Sequence, residues 1–141
     1  MGRFSNLLKF LRIESLTEFE GELQKLRFIT SSQIIAIVGI GSRFKGLPLI
    51  YVTDNENQLK VYSARIVQVL EHLTYFRSEK PVKELIVYYD DYAVIFRRLS
   101  EDVGFLGLTR FESDAEVMRQ WILKKESMLK KILGKPKEET G

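Results

Sequence analysis

The sequence predicts an α+β domain: one five-stranded, mainly antiparallel sheet sandwiched by helices. The expected order is α-β-β-α-β-β-β-α, with an extra helix at the N-terminus. Three observations carry that prediction. Five apolar runs of strand length are present, and the turns within each group are too short for a parallel crossover. Apolar residues at helical spacing fill the stretch between the two groups of strands and the stretch after the last. At 141 residues and 45% hydrophobic, the chain allows one ordinary domain and hardly two.

The elements follow in order. Phe4, Leu7, Leu8 and Leu11 stand at i, i+3, i+4 and i+7, with Lys9 and Arg12 off the stripe, so residues 3–12 read as a short amphipathic helix. A second helix starts near Thr17, whose hydroxyl and Glu20 form a capping box, and it buries Phe19, Leu23, Leu26 and Thr30. Gln33–Ile40 is continuous rather than alternating, which predicts a strand buried on both faces. A turn over Gly41–Gly46 returns the chain as Leu47–Thr53, with Pro48 where a missing N–H is tolerated. Asp54 or Asn55 caps a central helix over about 57–77, with Leu59, Tyr62, Ile66, Val69, Leu70, Leu73 and Phe76 as its core stripe. Pro81 breaks the chain before a strand at Lys83–Tyr89. Asp90-Asp91 then turns it into Tyr92–Leu99, and Phe105–Phe111 is the fifth strand. Ser113 and Glu116 read as a capping box opening a last helix to about Leu133. The expected organisation is an N-terminal extension over 1–16, a domain over 17–133 and a disordered tail over 134–141.

Composition narrows the function classes. No cysteine is present, so disulfides, thiolate zinc sites and iron–sulfur clusters are excluded, and a cytoplasmic location is expected. The single histidine, His72, excludes HExxH metal sites. The net charge of +3 sits in residues 124–141, which hold six lysines and three glutamates; the other 123 residues balance at sixteen basic and sixteen acidic. A nucleic-acid domain carries a basic face on its folded part too, so no nucleic acid is expected and a protein partner comes first. A membrane surface is the weaker reading of the lysines, which also suit a helix C-terminus.

No motif points to catalysis. Gly41 and Gly46 have phosphate-loop spacing, but Leu47-Pro48 follow where lysine and a hydroxyl would have to stand, and a strand follows where a helix N-terminus is needed. The acidic residues at Asp54, Glu56, Asp90, Asp91, Glu101 and Asp102 are read as turn and cap residues, whose side chains bond backbone N–H groups. No catalytic residue, metal or cofactor is expected. The far side of the central helix is mixed instead: Val61, Ala64, Val67 and Tyr75 lie among Arg65, Gln68, Glu71 and His72, the character of a non-obligate interface.

The element order, with Phe44-Lys45-Gly46-Leu47-Pro48-Leu49 between the first two strands, resembles the roadblock (dynein light chain type) family, in its bacterial and archaeal small-GTPase partner form. The similarity covers about residues 17–132. Members typically carry a Gly-Leu/Ile-Pro signature at this turn, followed by a strand and a helix containing small residues. The resemblance implies a homodimeric scaffold, not an enzyme, that pairs with a Ras-like small GTPase and in some members regulates GTP turnover. It also implies that the third strand, here Leu85, Ile86, Val87, Tyr88 and Tyr89, pairs across the dimer axis, with the central helices side by side. Val61, Ala64, Arg65, Gln68, His72 and Tyr75 would then meet the GTPase. The alternative is a small-molecule sensor or adaptor of longin or profilin-like architecture.

Overall fold

The computed structural model describes residues 13–41 and 44–140, with side chains from Thr17 to Ser127. The order is α1 (Ile13–Thr30), β1 (Ser32–Gly39), β2 (Pro48–Thr53), α2 (Glu56–Phe76), β3 (Glu84–Tyr88), β4 (Ala93–Arg98), β5 (Val103–Thr109) and α3 (Glu112–Thr140). Residues 1–12, where the sequence predicts the first amphipathic helix, lie outside the described residues.

The five strands make one sheet in the order β2-β1-β5-β4-β3, antiparallel at every pairing. β1 and β5 occupy its centre, which explains the unbroken apolar run at Ile34–Val38: both faces are covered, and all five residues are fully buried. One face packs on α1 and α3. There Phe19, Leu23 and Leu26 meet Ile35, Ile37, Phe105, Met118 and Ile122, with Trp121 packed against the same cluster. Each such fully buried side chain contributes about 1.5–3 kcal/mol relative to exposure. Among the described residues the other face packs on α2, where Leu59, Ile66, Val67 and Leu70 cover Ile34, Ala36, Val38, Phe96, Leu106 and Leu108.

The Gly41–Gly46 turn closes tightly on the sheet. Gly39 N–H donates to the Leu47 carbonyl and Gly46 N–H to the Gly39 carbonyl, both at 2.8 Å. Gly46 adopts φ +81°, a conformation that side chains resist. The chain then enters β2 directly, so this glycine pair makes a hairpin.

Three boundaries differ from the sequence reading. α1 is already helical at Ile13, the first described residue, ahead of the start expected near Thr17, because no breaker separates them. α3 begins at Glu112: the Phe111 carbonyl accepts from the N–H groups of Asp114 and Ala115, so backbone closes the turn that Ser113 was expected to cap. The same helix continues to Thr140, past Leu133, where a disordered tail was expected. Within this last stretch Gly134 costs a helix about 1 kcal/mol and Pro136 about 3 kcal/mol, while the lysines and glutamates around them favour helix. Asn55, one of two candidate caps, is the one used: its side-chain oxygen accepts from Gln58 N–H at 3.0 Å.

Candidate interaction surface

The features that set this surface begin with the angular position of α2. Its buried residues are Leu59, Ser63, Ile66, Val67 and Leu70, whereas Val69 is 41% and Phe76 87% exposed. The apolar stripe expected from periodicity is therefore turned away from the sheet along one side. Tyr62 and Leu73 lie half-buried on that same flank. α2 packs closest to β1 and β2, and its opposite flank meets the β1–β2 turn: Lys45 pairs with Glu71, and Gly46 lies beside the Ala64 backbone. The Tyr62 hydroxyl reaches the other way and donates to the Tyr92 hydroxyl at 3.2 Å, at the start of β4. Burial, then that hydrogen bond, pushes the Tyr62 phenol up to about 12. Tyr92 stacks on Tyr89 with ring centroids 4.8 Å apart.

The β3–β4 half of this face is accordingly only partly covered. Leu85, Val87 and Val94 stay half-exposed beside Tyr62 and Tyr92. Among the described residues β3 is also the last strand of the sheet, with one edge open. Its register fixes which backbone groups face outward. Tyr89 N–H donates to the Tyr92 carbonyl at 2.7 Å and Arg98 N–H to the Lys83 carbonyl at 2.8 Å, so the odd-numbered residues bond to β4. The N–H and C=O of Glu84, Ile86 and Tyr88 therefore point to the open edge. The result is an apolar trough beside an unpaired strand edge.

The six residues expected to meet a partner are all exposed, with Val61 at 44% and Tyr75 at 80%, and Ala64, Arg65, Gln68 and His72 exposed too. Of these, Ala64 borders the β1–β2 turn and is the least open to a large partner. The five residues of the third strand divide by face, with Leu85 and Val87 toward the trough and Ile86 toward α3. Val69 and Phe76 belong to the surface, and periodicity misassigned them to the core; Val67, expected on the outer side, is instead buried against the sheet.

Behind the edge strand lies an ionic cluster. Arg97, only 7% exposed, donates to Glu84 at 3.0 Å and to Glu126 at 2.9 Å, while Arg119 donates to Glu84 at 2.9 Å. Burial alone would raise the Glu84 carboxyl, but the hydrogen bonds from Arg119 and Arg97 outweigh it and hold it below the usual carboxylate range. Arg98, on the other side of β4, donates to the Val82 carbonyl at 2.8 Å. Both arginines of this strand are thus engaged within the chain. Among the described residues no group of three or more histidines, cysteines or carboxylates could hold a metal, and no helix is long and apolar enough to cross a membrane. A cleft of about 440 Å³ between α1 and the start of α2 is lined mostly by polar side chains, with Arg27 closed on Asp54.

Solved structures share this arrangement. MglB of Myxococcus xanthus superposes with a TM-score of 0.69 at 11% identity, over 85% of this chain and 90% of that one. The gliding protein MglB of Thermus thermophilus gives 0.65 at 11%, over 86% and 90%. A Roadblock/LC7 domain from Streptomyces avermitilis gives 0.52 at 10%, over 70% and 85%. The chain has the roadblock fold. No protein-family model matches the sequence, and no curated protein does. A five-stranded antiparallel sheet with helices on its faces is what the order of elements predicted.

Proposed function

We propose that this chain is a homodimeric regulatory module that docks a Ras-like small GTPase and modulates its GTP hydrolysis without turning over nucleotide itself. The observation that carries the reading is the trough. A second copy fits it with its own α2 flank, Tyr62, Val69, Leu73 and Phe76, while β3 meets β3 through the outward groups of Glu84, Ile86 and Tyr88. Two helices and an edge pair together reach the scale of roughly 1,200–2,000 Å² that stable interfaces bury. Leu85, Ile86, Val87, Tyr88 and Tyr89 are then the interface strand.

Pairing places two α2 helices side by side and joins their outer sides into one surface. Val61, Ala64, Arg65, Gln68, His72 and Tyr75 from both copies form it, and a single GTPase on the dimer axis engages two subunits, because one shared patch cannot serve two partners at once. Regulation acts by ordering the GTPase's own switch loops. Arg97 is held between Glu84 and Glu126 and Arg98 by the Val82 carbonyl, so neither is available as a donated arginine. The likeness to MglB and to a Roadblock/LC7 domain supports the reading at the level of fold.

The deciding experiment uses Gln68→Arg, which adds bulk and charge at the centre of the patch without touching the trough. Sedimentation should still give a dimer, while titration against a small GTPase from the same genome, loaded with a GTP analogue, should give affinity about tenfold or more weaker. Unchanged affinity places the docking surface elsewhere. A monomeric parent at tens of micromolar removes the dimer.

A further inference from the structure

We propose that Arg65 and its symmetry mate in a second copy clamp a single carboxylate of the protein partner, and that dimerisation and partner binding thereby strengthen one another. The inference rests on the homodimer and shared surface proposed above, and it assigns the chemistry at the centre of that surface.

Arg65 stands where two faces of α2 meet. It falls in line with Val61, Gln68 and His72 at helical spacing, which puts it in the outer row. It is also one turn from Tyr62 and from Val69, which puts it beside the flank that borders the trough. Burial and then the Tyr92 hydrogen bond raise the Tyr62 phenol, and the Arg65 charge opposes them, as a guanidinium held near that ring must. The arginine itself is exposed.

No carboxylate among the described residues answers this charge. Val61, Tyr62, Gln68 and Val69, one turn away along the helix, are all uncharged, and Arg65 enters none of the ion pairs. Glu71 lies on the opposite flank, paired with Lys45 of the β1–β2 turn. Glu56 faces Tyr51 of β2, and Glu84 is held by Arg97 and Arg119 on the α3 side of the sheet. Asp90 and Asp91 stand in the β3–β4 turn, past the end of the edge strand, and Glu79 sits in the link after α2 among Arg77, Lys80 and Lys83.

When two copies meet through the trough, their Arg65 side chains approach the axis from both sides, and like charges there oppose association. The apolar flank and the strand edge have to overcome that repulsion, which salt screens over about 8 Å at physiological ionic strength. One carboxylate on the axis reverses the sign, because two forked donors can bond its two oxygens. A partner carrying it binds the pair better than a single copy, and by linkage it tightens the pair to the same degree. Val61, Gln68 and Tyr75 around the arginines offer the apolar and amide contacts of a protein interface, so the carboxylate belongs to an Asp or Glu on a protein surface.

Sedimentation equilibrium and titration with a small GTPase loaded with a GTP analogue test it. The parent dimer should tighten about threefold or more as sodium chloride rises from about 50 to 300 mM, because salt screens the repulsion. Arg65→Gln should dimerise about threefold or more tightly than the parent at low salt, lose that salt dependence, and bind the GTPase about tenfold or more weakly. Arg65→Lys, which keeps the charge without the fork, should keep the salt dependence and lose part of the binding. The GTPase should tighten the parent dimer more than the Arg65→Gln dimer. If Arg65→Gln changes neither dimer nor binding, the proposal falls and the functional reading stands. A dimer loosened by salt or by Arg65→Gln marks Asp90 or Asp91 of the second copy as the arginine's partner, and also overturns it. Equal tightening by inorganic phosphate at matched ionic strength marks a simple anion site and does the same. A parent that stays monomeric, or that binds no GTPase, removes the functional reading and this proposal together.

Discussion

At the scale of single residues, Ser63 and Glu84 make opposite statements about buried polarity. Ser63 sits on the sheet side of α2 with its hydroxyl buried and without a hydrogen-bond partner. A desolvated, unpaired hydroxyl costs about 1–3 kcal/mol, and alanine also favours helix. Ser63→Ala should therefore stabilise the fold by about 1 kcal/mol, read as a shift of the urea midpoint with unchanged slope. Glu84 is fully engaged, with Arg97 and Arg119 holding its carboxyl below the ordinary range. A depressed native value stabilises the folded state above the unfolded pKa of about 4.3, and that contribution disappears as pH falls through the native value. Glu84→Gln should cost about 2 kcal/mol at neutral pH and should flatten the acid limb of the stability profile, checked by denaturant titrations from pH 7 to about 3.

At the scale of elements, β3 gives a directional prediction. Its even-numbered residues turn their backbone groups outward, whereas Val87 bonds to Val94 within the sheet. Proline at Val87 would break the chain's own ladder, but Tyr88→Pro removes only an outward N–H from an exposed position. The variant should keep the far-ultraviolet spectrum and sediment as a monomer at concentrations where the parent is dimeric. The elements also show how much of the fold could be read beforehand. Continuous Ile34–Val38, the paired turns at Gly41–Gly46 and Asp90-Asp91, and the stripe Phe19, Leu23, Leu26 and Thr30 are local patterns, and each landed within a few residues of its place. The rotation of α2 was not legible. Val69 and Phe76 are apolar and in phase with Tyr62 and Leu73, so periodicity assigns them to the core. Only the packing of α2 over β1 and β2, off the centre of the sheet, leaves that flank open. A pattern that serves both a core and an interface is one stripe in the sequence and two surfaces in space.

At the scale of the whole molecule, stability and assembly are coupled if the trough is filled by a second copy. Association adds stability by mass action, so raising the protein concentration about a hundredfold should raise the unfolding midpoint measurably, as calorimetry across that range would read. A midpoint independent of concentration would mean the trough stays open. The order β2-β1-β5-β4-β3 carries a further consequence, for synthesis. β1 gains its neighbour β2 almost at once, but its other neighbour is β5, which follows the rest of the sheet in sequence. Until Val103–Thr109 leaves the ribosome, Ile34, Ile35, Ala36, Ile37 and Val38 present an unpaired edge of high β propensity, the kind of segment that recruits other chains. The nascent protein is therefore most exposed to misassembly through most of its translation, and the strand that ends this exposure is the last one made.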